Sequence, residues 1–310
     1  QRWNATTVQA WLRRGPGRAR RLLEGLAYIS WTADLDRCSI HAMAQSIRQQ
    51  GGLRTMLATA RGAQESLVVD GIGSLIDGLA VELGSRVLPG RRVTSLVHSG
   101  DGVTVGTTAG DIRAAKVIVT VPPPLTGRIT YDPPLPPDRA ALASDTYMGS
   151  VYKGVAVYPR PFWRDRAGGE FLVLDKPGRA VFDTGAPGGP GHLCVLVGGP
   201  EARELDRLDA VERRNAVLGA LARYVGPDVL EPESWHEKSW HRDEYVGGGY
   251  IALALPGTTD GIPPIESTPT GDIHWAGTET ARDHAGYLEG AIESGTRVAR
   301  EVIEALSDSL

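Results

Sequence analysis

Ile273-His-Trp-Ala-Gly-Thr-Glu-Thr280, followed by His284-Ala-Gly-Tyr-Leu-Glu-Gly-Ala291, is the stretch on which the reading of this chain turns. Ile273 to Ala276 has the apolar character of a short strand, and Gly277 to Thr280 leaves it as a loop of small and polar residues. From Gly286 the pattern turns helical and runs to Leu306. Strand, small-residue loop and helix N-terminus in succession form a potential anion site. The first-turn N–H groups have no acceptor within the helix, and the dipole is positive at that end. Alone, the same arrangement also serves as a plain strand-to-helix connection.

Working outward, 310 residues suggest two domains at roughly 150 residues each. The 39 glycines and 21 prolines are spread without a period, which indicates many turns between short elements. Collagen, coiled coil and a simple helix bundle are excluded. A hydrophobic share of 41% beside 23% charged residues suits a chain with a sizeable core, and a net charge of −4 favours neither nucleic acid nor an anionic membrane. Two cysteines, Cys38 and Cys194, exclude a disulfide scaffold and a cysteine-rich metal site. No apolar run reaches the ~18 residues needed to span a bilayer, and Gln1 opens the chain with neither an initiator Met nor a signal-peptide core.

Residues 5–50 read as three helices. Thr6 or Thr7 caps Val8 to Leu12, a second helix covers Arg18 to Trp31, and a third covers Ser39 to Gln49 before Gly51-Gly52. An amphipathic helix is expected from Ser74 to Leu83. Val93 to Val97 and Val103 to Val105 form a hairpin, and Lys116 to Val121 reads as a strand buried on both faces, stopped by Pro122-Pro-Pro124. Further strands are expected at Val151–Val157, Glu170–Leu174 and His192–Val197, and a helix at Asp206–Tyr224. The mixed order indicates α/β or α+β with two interleaved domains.

Two further segments carry chemistry. Gly149-Ser-Val-Tyr-Lys153 enters an apolar strand that ends before Pro161-Phe-Trp163. A lysine there is costly unless paired, neutralised or solvated. On spacing alone Lys153 reads as a residue on an open face, lying over Trp or Tyr. Trp240, Tyr245-Val-Gly-Gly-Gly249 and Tyr250 form the other segment, in which three glycines allow positive φ or close approach to something flat.

Together the three segments resemble the flavin-dependent amine oxidases, with the monoamine oxidases the nearest pattern. The resemblance also takes in Val119-Thr-Val-Pro-Pro123 and Tyr131-Asp-Pro-Pro-Leu-Pro136, and it covers Trp11 to Leu306. It implies an FAD-linked amine oxidase fold, mixed α/β, incomplete at the N-terminus. The FAD-binding domain would comprise residues 69–142 and 243–306, and the substrate-binding domain residues 1–68 and 143–242. In such enzymes Lys153 would hold a water against flavin N5 and assist the reaction with O2, which reverses the open-face reading. Tyr250 and Tyr287 would be the aromatic pair flanking the substrate amine. Val93, Trp240, Gly249, Gly277, Thr278, Glu279 and Leu288 would contact the cofactor, and Ile29, Met56, Leu57, Gln64 and Phe182 would line the substrate cavity. The mammalian members bear a flavin-bonded cysteine where this chain has Gly249, so the FAD is expected to be non-covalent.

The family's Gly-x-Gly-x-x-Gly unit is not found; Asp70-Gly-Ile-Gly73 lacks the third glycine and a preceding strand. A second polypeptide carrying that unit is therefore expected as partner, beside the amine and O2, in a cytoplasmic setting, with oligomerisation left open. The expected reaction oxidises an amine to an imine and yields hydrogen peroxide. An L-amino-acid oxidase is the alternative, needing an arginine clamp that the sequence does not identify. An inactive flavin-fold subunit is another.

Overall fold

The computed structural model describes residues 2–58, 61–62, 65–100, 102–167, 171–173 and 179–307. Its internal contacts divide the chain into two interleaved units. The first comprises 1–43 and 146–261, the second 44–145 and 262–310. The units divide at 43/44, 145/146 and 261/262.

The first unit is built on a five-stranded sheet in the order Ser234–Ser239, Val151–Tyr158, Gly191–Gly198, Arg179–Asp183, Phe171–Val173, with all neighbours antiparallel. Strand period 2 sends Tyr152, Ala156 and Tyr158 to one face. There, with Leu193, Val195 and Val197, they pack on Val217, Leu218, Leu221 and Val225 of the helix Ala210–Val225. The opposite face carries Lys153, Val155 and Val157, each only half-buried. Part of that face is covered by Ile29 from the helix Gly17–Trp31, which packs on Val151, Ala180 and Leu196. One sheet therefore presents a sealed face and a half-open face, and Lys153 is on the half-open one.

The second unit holds a four-stranded sheet, Ile112–Ala114, Gly102–Thr107, Val93–Ser99, Thr130–Asp132, and a parallel pair, Val117–Val119 with Ile273–Trp275. Leu96, Val103, Val119, Ile273 and Trp275 form its core. The helix Leu288–Ser307 follows the loop after Ile273–Trp275.

Thr7 is the helix cap, its Oγ1 accepting from Ala10 N at 3.2 Å. Three expectations need correction. The strand foreseen over Lys116 to Val121 is only Val117–Val119, and Ile118 is 40% exposed, so the strand is buried on one face alone. The helix foreseen from Asp206 begins at Ala210, because Asp209 and Glu212 form a capping box that starts it there. The helix Gly73–Leu83 forms, but Leu75, Ile76, Leu79 and Val81 stay exposed, with no buried face among the described residues. Of the strand foreseen at Glu170–Leu174, Phe171–Val173 is observed and its two ends lie outside the described residues. Among the described residues no helix is long and apolar enough to cross a membrane.

Candidate active site

In the first unit the register of the sheet brings several of the expected site residues together. Lys153 lies opposite Leu196 on one side and Lys238 on the other, and Phe182 lies opposite Cys194. Lys153 Nζ stands 5.2 Å from the centre of the Tyr250 ring, within cation–π range. Tyr250, Trp240 and Phe182 all pack against the cluster formed by Ile29, Val151, Ala180 and Leu196. Trp240 opens a short 3₁₀ turn after Ser234–Ser239, and Lys238 Nζ sits 4.6 Å above its ring while pairing with Asp243 at 2.6 Å. The cation at 238 is thus already neutralised. The one at Lys153 faces an aromatic ring.

Backbone proximity places Tyr250. Gly249 N donates to Gly149 O at 2.9 Å, which joins the glycine run to the start of the lysine strand. A Cβ at Gly248 would collide with Gly149 O, and one at Gly249 with Thr32 Oγ1. Contact requires glycine at both places, and at Gly248 the φ of +158 requires it as well.

Burial pushes the Cys194 thiol up, with nearby Lys153 opposing the shift, and burial alone pushes Cys38 to about 12. Both are free thiols.

In the second unit the expected cofactor residues gather at the start of Leu288–Ser307. Gly277, at φ +118, donates its N–H to Ser294 Oγ at 3.2 Å. Thr278 Oγ1 accepts from Gly286 N at 2.7 Å and donates to Tyr287 O at 3.1 Å. A Cβ at Gly290 would lie 2.9 Å from Thr278 Oγ1. Glu293 accepts from the amides of Arg282 and Asp283 at 3.0 and 3.2 Å, which pins the loop to the helix. Glu279 is buried, and its carbonyl accepts from Ile265 N at 2.8 Å. Tyr287 Oη donates to Gln50 Oε1 at 3.3 Å, and burial raises its phenol.

Leu288 is exposed, on the first turn. Val93 begins Val93–Ser99 at the edge of accessibility, 36% exposed. Met56 is buried and Leu57 half-buried on Leu53–Leu57, while Gln64 lies outside the described residues.

Each group, taken by itself, suits part of a flavin nucleotide on chemical grounds. The glycine-lined entry to a 20-residue helix offers N–H donors at a positive dipole end, suited to phosphate or an anionic ring. The half-open sheet face offers an aromatic wall and a cation.

Thr32 is not among the residues that the sequence singles out. It is fully buried and closes the helix Gly17–Trp31 in the left-handed region, φ 53 and ψ 20. Nothing in a threonine at a helix end announces such a role, because its neighbours come from distant strands.

The fold matches cyclohexylamine oxidase from Brevibacterium oxydans with a TM-score of 0.88 at 25% identity, covering 99% of this chain and 69% of that one. The profile of the flavin containing amine oxidoreductases matches residues 5–303, and the chain belongs to that family. It is 36% identical over 296 residues to AofH of Mycobacterium tuberculosis, assigned as a flavin-containing monoamine oxidase, covering 94% of this chain and 64% of that protein. It is 37% identical over 242 residues to an L-amino acid dehydrogenase of Synechocystis, covering 77% of this chain and 51% of that protein. The chain thus spans less than two-thirds of the length of these two curated relatives.

Proposed function

We propose that this chain is the flavin-facing and substrate-facing portion of an amine oxidase. An amine is oxidised to an imine, water releases aldehyde or ketone from it, and O2 becomes hydrogen peroxide. The observation that carries the reading is Lys153 held beside the Tyr250 ring on the half-open sheet face, in a chain of this family. When bound, FAD supplies the two-electron acceptor for the amine and the route of those electrons to O2.

This chain's residues do the rest. The Lys153 ammonium, half-buried, holds a water and stabilises negative charge as oxygen is reduced. Tyr250 and Tyr287 offer ring faces to the amine nitrogen. The amides at the start of Leu288–Ser307 stabilise anionic charge on the cofactor. Ile29, Phe182, Met56 and Leu57 favour an amine with an apolar body.

Non-covalent FAD fits Gly249, which has no thiol to offer. A reducing, cytoplasmic setting fits the free thiols of Cys38 and Cys194. A second polypeptide carrying the Gly-x-Gly-x-x-Gly unit belongs to the same reading. The exposed Leu75, Ile76, Leu79 and Val81 support a packed neighbour there.

The likeness to an L-amino acid dehydrogenase favours one second reading, oxidation of an amino acid. Peroxide release across a panel of amines and amino acids separates the two. Lys153→Met tests the main reading: reoxidation by O2 is expected to slow ~100-fold or more, the scale for removing one electrostatic stabiliser, while amine-driven reduction changes little. Equal slowing of both half-reactions refutes the role of Lys153.

A further inference from the structure

Among the described residues Thr32 is the one buried non-glycine residue at positive φ. It has φ 53, in the left-handed region, where a β-branched side chain is a marked outlier. A glycine or asparagine would cap the helix Gly17–Trp31 more comfortably. What the threonine adds is contact. Its Oγ1 donates to Trp31 O at 2.6 Å, and its own carbonyl accepts from Ser150 N at 3.0 Å. A Cβ on Gly149 would strike the Thr32 carbonyl and hydroxyl, and a Cβ on Gly249 would strike the hydroxyl. Two glycines from segments remote in sequence are therefore pressed against one threonine.

Those two segments are the ones that carry Lys153 and Tyr250. Gly149 leads into Val151–Tyr158, and Gly249 directly precedes Tyr250. Gly249 N donates to Gly149 O at 2.9 Å where Thr32 touches both, and just beyond, Ala252–Ala254 pairs antiparallel with Thr146–Met148, Ala252 opposite Met148. On the lysine side of the junction Val151–Tyr158 pairs with Gly191–Gly198 and Ser234–Ser239 and shares no ladder with the tyrosine segment. Thr32 lies at the end of the Ala252–Ala254 and Thr146–Met148 ladder from which both segments run on to Lys153 and Tyr250, whose cation and ring centre stand 5.2 Å apart.

We propose that Thr32 is a positioning residue: wedged between Gly149 and Gly249, it fixes the distance from the Lys153 ammonium to the Tyr250 ring. This deepens the amine oxidase reading and rests on it for its functional meaning. Backbone strain at position 32 is retained because the side chain sets the spacing.

The chain contains four lysines, Lys116, Lys153, Lys176 and Lys238, few enough to follow one by one. Reductive ¹³C-methylation keeps each charged and gives each a resolvable NMR signal. The Lys153 signal, assigned with Lys153→Arg, is shifted by the Tyr250 ring; Tyr250→Leu marks its position without the ring. Lys238 is shifted by Trp240 and serves as internal control. In Thr32→Gly the Lys153 signal is expected to move toward its Tyr250→Leu position while Lys238 stays. Melting should change by about 4 °C or less, since relief of the backbone offsets lost packing. Thr32→Ser, which keeps the hydroxyl, should retain the wild-type Lys153 signal.

An unmoved Lys153 signal in Thr32→Gly overturns the proposal. So does parallel movement of Lys153 and Lys238, which makes Thr32 a general support of the unit. Should Thr32→Gly not fold, Gly149→Ala disturbs the same junction from the other side and is read by the same signals. Failure of both to fold also overturns the proposal. The readout involves neither amine nor oxygen. A wild-type protein that oxidises no amine refutes the proposed function alone, and an unmoved signal in an active enzyme refutes the role of Thr32 alone.

Discussion

Glu237→Gln asks whether the sheet that carries Lys153 is held by charge as well as by packing. Glu237 lies opposite Gly154 on the neighbouring strand and accepts from Tyr152 Oη at 2.6 Å, Trp235 Nε1 at 3.0 Å and Arg213 Nε at 3.0 Å. Arg213 Nη2 bonds the same carboxylate. Burial alone would raise this carboxyl, but the hydrogen bonds from Arg213, Tyr152 and Trp235 outweigh it and hold Glu237 below its usual range. Side-chain exposure is only 17% for Arg213 and 18% for Glu237. Glutamine keeps the size but turns one acceptor into a donor, facing groups that all donate, and leaves Arg213 without its counter-charge. Breaking a fully buried pair costs about 3–5 kcal/mol. For this slightly open one the expected loss is about 2–4 kcal/mol, on the order of 10 °C in melting temperature.

The sign of the pH dependence follows from the depressed carboxyl. Its contribution is complete above the ordinary value of 4.5 and fades as pH falls through the lower folded value. The gap between wild type and Glu237→Gln should therefore be widest at neutral pH and close in acid. Thermal unfolding followed by circular dichroism, stepped from neutral pH downward, measures both. A neutral-pH gap below about 1 kcal/mol, or one that stays constant into acid, refutes the reasoning.

Two other consequences are accessible. Tyr287→Ala should slow amine-driven flavin reduction while sparing reoxidation by O2, and unchanged reduction in stopped flow removes Tyr287 from the site. Cys38, held at about 12 by burial, should resist alkylation in the native protein and react only after unfolding, which peptide mass spectrometry reads directly. Rapid native labelling of Cys38 contradicts its placement.

Local interactions are the readable ones. Thr7 as a cap, the hairpin of Val93–Ser99 with Gly102–Thr107, and the stop after Gln49 all depend on residues a few positions apart. The strand Ser234–Ser239 is not readable, because Ser-Trp-His-Glu-Lys-Ser looks too polar for a core sheet. Its Glu237 is held by Arg213 from the helix Ala210–Val225 together with Tyr152 and Trp235. The one-sided burial of Ile118 and the bare helix Gly73–Leu83 escape the pattern for a related reason: apolar spacing states what a segment is able to bury, not what neighbour it meets.

The candidate site divides along the same line. Lys153, Tyr250 and the glycine-rich entry to Leu288–Ser307 stand out in their strings, but each string alone also allows an open-face lysine, a core aromatic or a plain connection, and only the resemblance gives them roles. Their support is written elsewhere. Thr32 meets Gly149 and Gly249 only after the chain has folded, and nothing around it in sequence distinguishes it from any other helix-ending polar residue. A glycine whose missing Cβ would collide with a remote atom is the sign such a residue leaves on its partners. Gly149, four residues before Lys153, and Gly249, directly before Tyr250, show that sign once the chain is folded. Both point toward an unseen neighbour of fixed position, and in this fold the neighbour is Thr32.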